Sequence, residues 1–358
     1  MLKMNTWGNK IKITIFGESH GEAIGSILDG IPAGLTLDTS FINREMKRRA
    51  PGQNKLSTPR KEADIPEIVS GVLDGKTTGT PICAIIRNTN TRSQDYTPHL
   101  LRPGHADFTG FAKYGAAHDF RGGGHFSGRI TAGLVFAGAI AKQVLKEQGI
   151  TVGSHIKKIH GISECSFLDT NLSSQLLEYI ASKEFPVIDD SCGKRMQDEI
   201  LSAAADKNSV GGIIECAVLG LTPGIGSPFF ASIESLISSI VFSIPAVKGI
   251  EFGKGFDFSD MYGFDANDFF ETDGNQVYTT TNNNGGINGG ISNGMPIIFS
   301  AAIKPTPSIA KAQPTVDTQN MKNTTLEIKG RHDPCIVQRA AVVVEAAAAL
   351  AVLDAVMS

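Results

Sequence analysis

Residues 121–129, Arg-Gly-Gly-Gly-His-Phe-Ser-Gly-Arg, constrain the chain more than any other stretch. Three successive glycines let the backbone turn its N–H groups toward a bound anion with no side chain in the way. Arg121 and Arg129 close the stretch with forked donors suited to phosphate or carboxylate. A helical pattern of small residues follows at once over 130–148, stopped by Gly149, and aims its N-terminus at the same place. Ala132, Gly133, Ala137, Gly138 and Ala139 let that helix pack at close range. A glycine-rich turn with solvent-facing arginines is the plainer reading. The rest of the chain decides between the two.

At 358 residues there is room for one large core or two lobes. The net charge of −3 argues against a dedicated nucleic-acid binder. No apolar run reaches the ~18–20 residues of a membrane span. The most apolar tract, 340–357, carries Glu345 and Asp354 and reads as a buried helix of a soluble protein. Residues 1–12 lack the apolar core of a signal peptide. Cysteines 83, 165, 192, 216 and 335 are widely spaced with no C-x-x-C, which suits free thiols in a reducing compartment. These features predict a cytoplasmic globular protein without nucleic-acid or membrane partners.

Lys10–Phe16 alternates as a strand and runs into Gly17-Glu18-Ser19-His20-Gly21. A histidine framed by glycines at a strand end, here His20, is a candidate general acid or base; a hydrogen-bonded turn histidine is the bland alternative. Asp38–Arg49 reads as a helix opened by Asp38 or Thr39. It leads into seven cations within 18 residues: Arg44, Lys47, Arg48, Arg49, Lys55, Arg60 and Lys61. The Pro51-Gly52 break places them at a helix end and loop, where they can converge on an anion instead of lining a solvated face.

Residues 71–77 fall one residue short of a P-loop and lack its strand-loop-helix setting, and no G-x-G-x-x-G occurs. ATPase and Rossmann readings are therefore set aside. Pro81–Arg87 reads as a strand. Asp107 reads as the cap of a helix through about His118, with His105 just before its N-terminus. His99, His105, His118 and His125 crowd this region and raise a metal-dependent phosphohydrolase as the main alternative. They show no H-E-x-x-H and no acidic partner at ligand spacing, so no metal is predicted.

Farther on, 151–162 and 210–219 read as strands and 172–206 as two amphipathic helices broken at 186–193. Phe230–Phe242 reads as a helix, 253–294 as a mobile loop of the kind that covers sites, and Pro296–Ile303 as a strand before an irregular run to Asn323. In Arg331-His332-Asp333-Pro334-Cys335, Asp333 reads as an N-cap and Pro334 as the first residue of a helix to about Met357. This echo of 121–129 suggests an internal duplication. Arginines at helix starts with glycine-framed histidines support a lyase or transferase acting on a phosphorylated acid, without selecting a reaction.

Several motifs, in one order, make the chain resemble chorismate synthase. They are G-E-S-H-G at 17–21, S-T-P-R-K-E-A-D at 57–64, S-G-V-L-D-G-K-T-T-G-T-P-I at 70–82 and R-P-G-H-A-D at 102–107. R-G-G-G-x-x-S-G-R at 121–129, A-V-K-G-I-E at 246–251, K-P-T-P-S at 304–308 and R-H-D-P-C at 331–335 complete the set, which covers residue 7 to the C-terminus. The resemblance implies trans-1,4-elimination of phosphate from 5-enolpyruvylshikimate 3-phosphate, giving chorismate, with reduced FMN required and no net redox change. By matching position, His20 donates a proton to the leaving phosphate and His105 manages protonation at the flavin N1. Asp333 relays the proton taken from substrate C6 near flavin N5, supported by Ser19 and Ser127.

Substrate anions then fall to Arg49, Arg102, Arg129 and Arg331, with Arg44 and Lys55 as secondary contacts. Flavin contacts fall to His125, Phe126, Ser127, Pro245, Ala246, Gly289, Lys304, Pro305, Thr306, Pro307, Ser308 and Arg331. Ala50, Lys55, His125 and Ile130 depart from the residues frequent in the family. Some members reduce flavin with NADPH (hence NADP); nothing here resembles an added reductase segment, which implies a monofunctional enzyme supplied with reduced FMN from outside. The implied fold is α+β: one domain over 1–358, a β-α-β sandwich of two related antiparallel sheet-and-helix units, assembled as a homotetramer. A flavin- or anion-binding carrier without turnover is the rival from outside the enzymes.

Overall fold

The alternation over Lys-Ile-Thr-Ile-Phe-Gly produces the first long strand of a five-stranded antiparallel sheet. The computed structural model describes residues 5–52, 56–57, 62–89, 97–328 and 333–358. In the first half, β1 (Thr6–Trp7), β2 (Lys12–Gly17) and β3 (Ala23–Asp29) form a meander. Then come α1 (Thr39–Arg49), β4 (Glu67–Ser70), the hairpin β5 (Val72–Leu73) and β6 (Lys76–Thr77), and β7 (Ile82–Arg87). The short α2 (Asp107–Tyr114) and the long α3 (Thr131–Glu147) complete it, and the sheet order is β1-β2-β3-β7-β4. Asp38 caps α1 by accepting from the Phe41 N–H at 2.9 Å, and Lys47, Arg48 and Arg49 sit at its negative end. The P-loop look-alike is the tip of β5–β6: Asp74 and Gly75 both have positive φ, as a two-residue type I′ turn needs.

The second half begins with β8 (Thr151–Ile159), β9 (Ile162–Ser163), α4 (Ser174–Ser182) and α5 (Asp190–Ala205). It continues with β10 (Gly212–Leu219), α6 (Ile233–Val241) and β11 (Val247–Phe252). After these come α7 (Gly263–Ala266), the hairpins β12 (Phe270–Thr272)–β13 (Val277–Thr279) and β14 (Ile287–Asn288)–β15 (Ile291–Ser292), and β16 (Ile297–Ile303). A last hairpin, β17 (Gln313–Asp317)–β18 (Lys322–Leu326), precedes α8 (Val337–Val356). The second sheet runs β11-β16-β10-β8-β9. Its strands β8-β10-β16-β11 repeat the order of β2-β3-β7-β4: first, second, fourth, third. In both halves one helix (α1, α6) follows the second of these strands and a long small-residue helix (α3, α8) follows the fourth.

The fold is α+β, with α3 and α8 packed together between the two sheets in one continuous apolar core. Small residues make that closeness possible. A methyl group at Gly138 would lie 2.3 Å from the Ala346 Cβ, and one at Gly133 would lie 2.7 Å from the Gly25 carbonyl of β3. Charge is buried here as well. Glu345 of α8 accepts from both terminal nitrogens of Arg48 at 2.7 and 2.8 Å, from Ser154 of β8 at 2.7 Å and from Lys142 of α3. Glu45 of α1 joins the same cluster, so one network ties three helices and the second sheet.

Four sequence expectations need correction. Helix α2 ends at Tyr114, and Asp107 is its first residue, not its cap, because its carboxylate is taken by Arg102 and His105. Asp333 does not cap α8, which starts four residues later; its carboxylate accepts from Arg339 at 2.8 Å. The 253–294 stretch, read as a loop, holds α7 and two short hairpins. Polar contacts replace apolar ones there: the Asp268 carboxylate accepts from the Asn283 and Asn284 N–H groups at 2.7 and 2.9 Å and from the Thr281 hydroxyl at 2.6 Å. Within the supposed irregular run to Asn323, β17 and the start of β18 form a hairpin.

Candidate active site

Gly122, Gly123 and Gly124 all adopt positive φ, which three successive side-chain-bearing residues could hold only under strain. The reason is visible in what surrounds them. A Cβ on Gly122 would lie 2.4 Å from the His20 ring and 3.0 Å from the Ser19 Oγ. One on Gly123 would lie 3.1 Å from both Cε1 and Nε2 of His105 and 3.7 Å from the Ser127 Cβ. One on Gly124 would strike the Asp119 carbonyl at 2.0 Å. The bare backbone therefore forms a cradle with His20 on one glycine and His105 on the next. The Ser19 N–H donates to the Gly124 carbonyl at 3.1 Å, fastening the 17–21 turn to the cradle.

His105 Nδ1 lies 2.8 Å from Asp107 Oδ1, and Arg102 grips the same carboxylate through Nε at 2.8 Å and a terminal nitrogen at 2.6 Å. Burial alone would raise the Asp107 pKa, but the hydrogen bonds and charges of His105 and Arg102 outweigh it and hold the carboxyl well below its ordinary range. A cavity of 1270 Å³, lined in part by Leu101, Phe111 and His118, opens beside Arg102 and Asp107. The Ser19 hydroxyl is fully buried, with no hydrogen-bond partner among the described residues. Ser127 Oγ accepts from the Arg129 N–H at 3.3 Å and shapes the turn into α3.

Arg129 is buried and paired with Asp64 and, at 2.7 Å, with Glu62. Its Nε also donates to Asn88 at 3.0 Å. Asn88 donates in turn to the Glu18 and Gly21 carbonyls at 3.0 and 2.9 Å, linking Arg129 to the His20 turn. Arg49 is 1% exposed; it donates to Asp64 at 3.0 Å and to the Gly128 and Arg129 carbonyls at 3.1 and 3.2 Å. Burial lowers the Arg49 pKa, Asp64 opposes this, and the cations Arg339 and Arg129 help bring it to about 10. Arg339 donates to the Arg49 carbonyl at 2.9 Å as well as to Asp333, so Asp333 joins the same run of residues. Contact between Arg49 and substrate would require exchange of bonds it already makes. Arg44 is exposed, 5.1 Å over the Phe41 ring. Lys55 and Arg331 lie outside the described residues.

Among the residues expected at the cofactor, Lys304 donates to the Gly104 carbonyl at 2.5 Å, and a Cβ on Gly104 would lie 3.3 Å from Pro307. The 304–308 segment thus touches the loop that carries His105. Its Thr306 carbonyl accepts from Ser209 at 2.7 Å, Pro305 packs against Gly211, and Ser308 is half-buried. The Ala246 carbonyl accepts from the Lys304 N–H at 2.9 Å, bringing Pro245 and Ala246 to the same side, and Ala246 has a positive φ of 75°. Gly289 is exposed at the tip of β14–β15. His125 donates from Nδ1 to the Gly17 carbonyl at 2.8 Å, and Phe126 meets the His118 ring edge-on at 5.5 Å.

The four histidines do not converge on a metal. His105 is held by Asp107, His118 by Phe126 and His125 by Gly17, while His99 faces β17–β18 through its carbonyl. Among the described residues no group of three His, Cys, Asp or Glu side chains could hold a metal ion. Sequence reasoning missed Asn88, Asp64, Glu62 and Arg339 as parts of the site. Only the E-A-D of 62–64, next to so many cations, offered a signal.

The family described as chorismate synthase matches residues 11–357. Chorismate synthase of Lachnoclostridium phytofermentans is 47% identical over 357 residues, covering 99% of this chain and 95% of its own. That of Dehalococcoides mccartyi is 45% identical over 352 residues, covering 98% and 96%. That of Methanocaldococcus jannaschii is 44% identical over 367 residues, covering 98% and 96%. A crystal structure of a chorismate synthase superimposes with a TM-score of 0.78 at 30% identity, covering 98% of this chain and 93% of that one. The cradle with its two histidines therefore lies in a chain that belongs to the chorismate synthase family.

Proposed function

We propose that this carbon–oxygen lyase removes phosphate from 5-enolpyruvylshikimate 3-phosphate by trans-1,4-elimination to give chorismate, using reduced FMN. The observation that carries the reading is the pair of histidine rings on successive glycines of one bare backbone turn. Elimination needs a proton for the departing phosphate oxygen and fixed positive charge around it. His20 meets the first need from the Gly122 side of the cradle. Arg129, Arg102, Arg49 and Arg331 meet the second, with Arg44 and Lys55 as secondary contacts. Asp333 relays the proton taken from C6, supported by Ser19 and Ser127, and Arg339 donates to its carboxylate.

The residues fit a flavin. Gly123 presents bare backbone beside His105, Ser19 offers an unsatisfied buried hydroxyl, and Lys304 supplies a cation on the same side. Reduced FMN, when bound there, would supply electron density for the departure of phosphate. His105, beside it, holds or moves a proton at Nε2. His125, Phe126, Ser127, Pro245, Ala246, Gly289, Arg331 and residues 304–308 are assigned to its surround. We further infer a cytoplasmic, monofunctional enzyme that depends on an external source of reduced flavin, not on NADPH of its own.

The exposed aromatic side chains Phe230, Phe256, Tyr262, Phe264 and Phe270 support association between copies of the chain, and the family resemblance makes that assembly a homotetramer. The shared strand order of the two sheets supports descent by internal duplication. An anaerobic assay tests the reaction. The protein and 5-enolpyruvylshikimate 3-phosphate, with and without reduced FMN and a chelator, should yield chorismate and phosphate one to one only with flavin and regardless of chelator. Phosphate release that ignores flavin and stops with chelator would favour the hydrolase; no product in any arm would leave a carrier.

A further inference from the structure

The carboxylate of Asp107 is committed in a way the reaction above does not use. Its Oδ2 accepts from the Arg102 backbone N–H at 2.9 Å and from Arg102 Nε at 2.8 Å. Its Oδ1 accepts from an Arg102 terminal nitrogen at 2.6 Å and faces His105 Nδ1 at 2.8 Å. A carboxylate so charged can only accept, so the hydrogen between it and His105 sits on Nδ1. Nε2 is then the open nitrogen of the neutral ring, and the Cε1–Nε2 edge is the one laid against Gly123, with Ser127 beyond. The other charged or titratable groups near this loop are Arg102 on the loop itself, Lys304, whose ammonium holds the Gly104 carbonyl, and His20, whose ring lies against the neighbouring Gly122.

We propose that Asp107 is the positioning residue of His105: it fixes the imidazole as the Nδ1–H tautomer and keeps Nε2 open toward the glycine cradle for proton transfer. This rests on the reading of His105 as the histidine at the cofactor. The proton is taken and returned at Nε2, the Nδ1 hydrogen stays where it is, and Asp107 remains ionised because Arg102 holds its charge. An amide in its place reverses the pattern. Its single oxygen would be claimed by the two Arg102 donors now on Oδ2, leaving the NH₂ to face His105 Nδ1 at the loss of the third Arg102 bond, the one now made to Oδ1. That forces the Nε2–H tautomer and blocks the working nitrogen.

The test uses full-length protein labelled with ¹⁵N-histidine, with the His105 signals assigned by their loss in His105→Gln. Wild type should show Nδ1–H, Asp107→Asn should show Nε2–H, and Asp107→Glu should return Nδ1–H with part of the activity. Chorismate formation by folded Asp107→Asn should fall about 10²–10⁴-fold, the range for loss of a correctly protonated acid or base. An Nε2–H tautomer in wild type, an Nδ1–H tautomer in Asp107→Asn, or a rate within about 3-fold of wild type in that variant would each overturn the proposal. If wild type itself made no chorismate, the reaction assignment would fail, and the tautomer spectra would still decide the dyad.

Discussion

At Arg49 the guanidinium that the resemblance points toward substrate is buried and spends its donors on Asp64 and on the carbonyls that open α3. Removing one partner of a buried ion pair leaves the other charge uncompensated, at a cost of about 3–5 kcal/mol. Arg129 still faces Asp64, so Arg49→Gln should lower stability in urea by less than that full cost but by more than an exposed pair would. A loss below about 1 kcal/mol, the range of an exposed pair, with activity abolished would return Arg49 to direct substrate binding. Asp333 sits differently: half-buried, on Arg339, and clear of the α8 cap. Asp333→Asn should keep the fold and slow elimination. Unfolding in that variant would make the Asp333–Arg339 pair a structural tie instead.

At the scale of elements, the cradle and the three-helix charge network carry most of the consequence. Gly122→Ala would place a methyl 2.4 Å from the His20 ring in a backbone region hostile to alanine. Turnover should fall at least about 10²-fold, as when a general acid is displaced, while circular dichroism stays native; undiminished turnover would show that His20 need not lie against Gly122. Much of this scale was legible in the sequence. Periodicity and small-residue content located α1, α3, α5, α6 and the long strands, because those signals are local. The starts of α2 and α8 were misread because Asp107 and Asp333 are good capping residues whose carboxylates have stronger partners elsewhere, in His105, Arg102 and Arg339. The hairpins within 253–294 left little sequence signal because apolar content is low there, whereas Asp268 organises the segment through backbone N–H groups. Asn88, which links Arg129 to the His20 turn, left no sequence signal at all, since its partners lie 41 and about 70 residues away.

At the scale of the whole molecule, the second sheet carries a buried charge cluster distant in sequence from the cradle. His155 is fully buried between Glu164 and Glu215, with Lys157 2.7 Å from Glu215. Burial would raise the Glu215 pKa, but the hydrogen bond and charge of His155, with Lys157, bring it down to about 2. Burial would lower that of His155, but the two carboxylates outweigh it and raise it above 6.5. Glu215 therefore contributes stability that is present above pH 4.5 and lost as pH falls toward 2, about 3 kcal/mol in all. The His155 contribution is complete below pH 6.5 and declines as pH rises through its raised value. Acid unfolding should be less steep in Glu215→Gln than in wild type; identical acid limbs would remove the cluster from the stability account. The central claim, that one glycine cradle holds two histidines for a single elimination, is tested most directly by the anaerobic rate of chorismate formation with saturating reduced FMN in His20→Ala and in His105→Ala. Each should lose about 10²–10⁴-fold while remaining folded, and near-normal rates in both would contradict it.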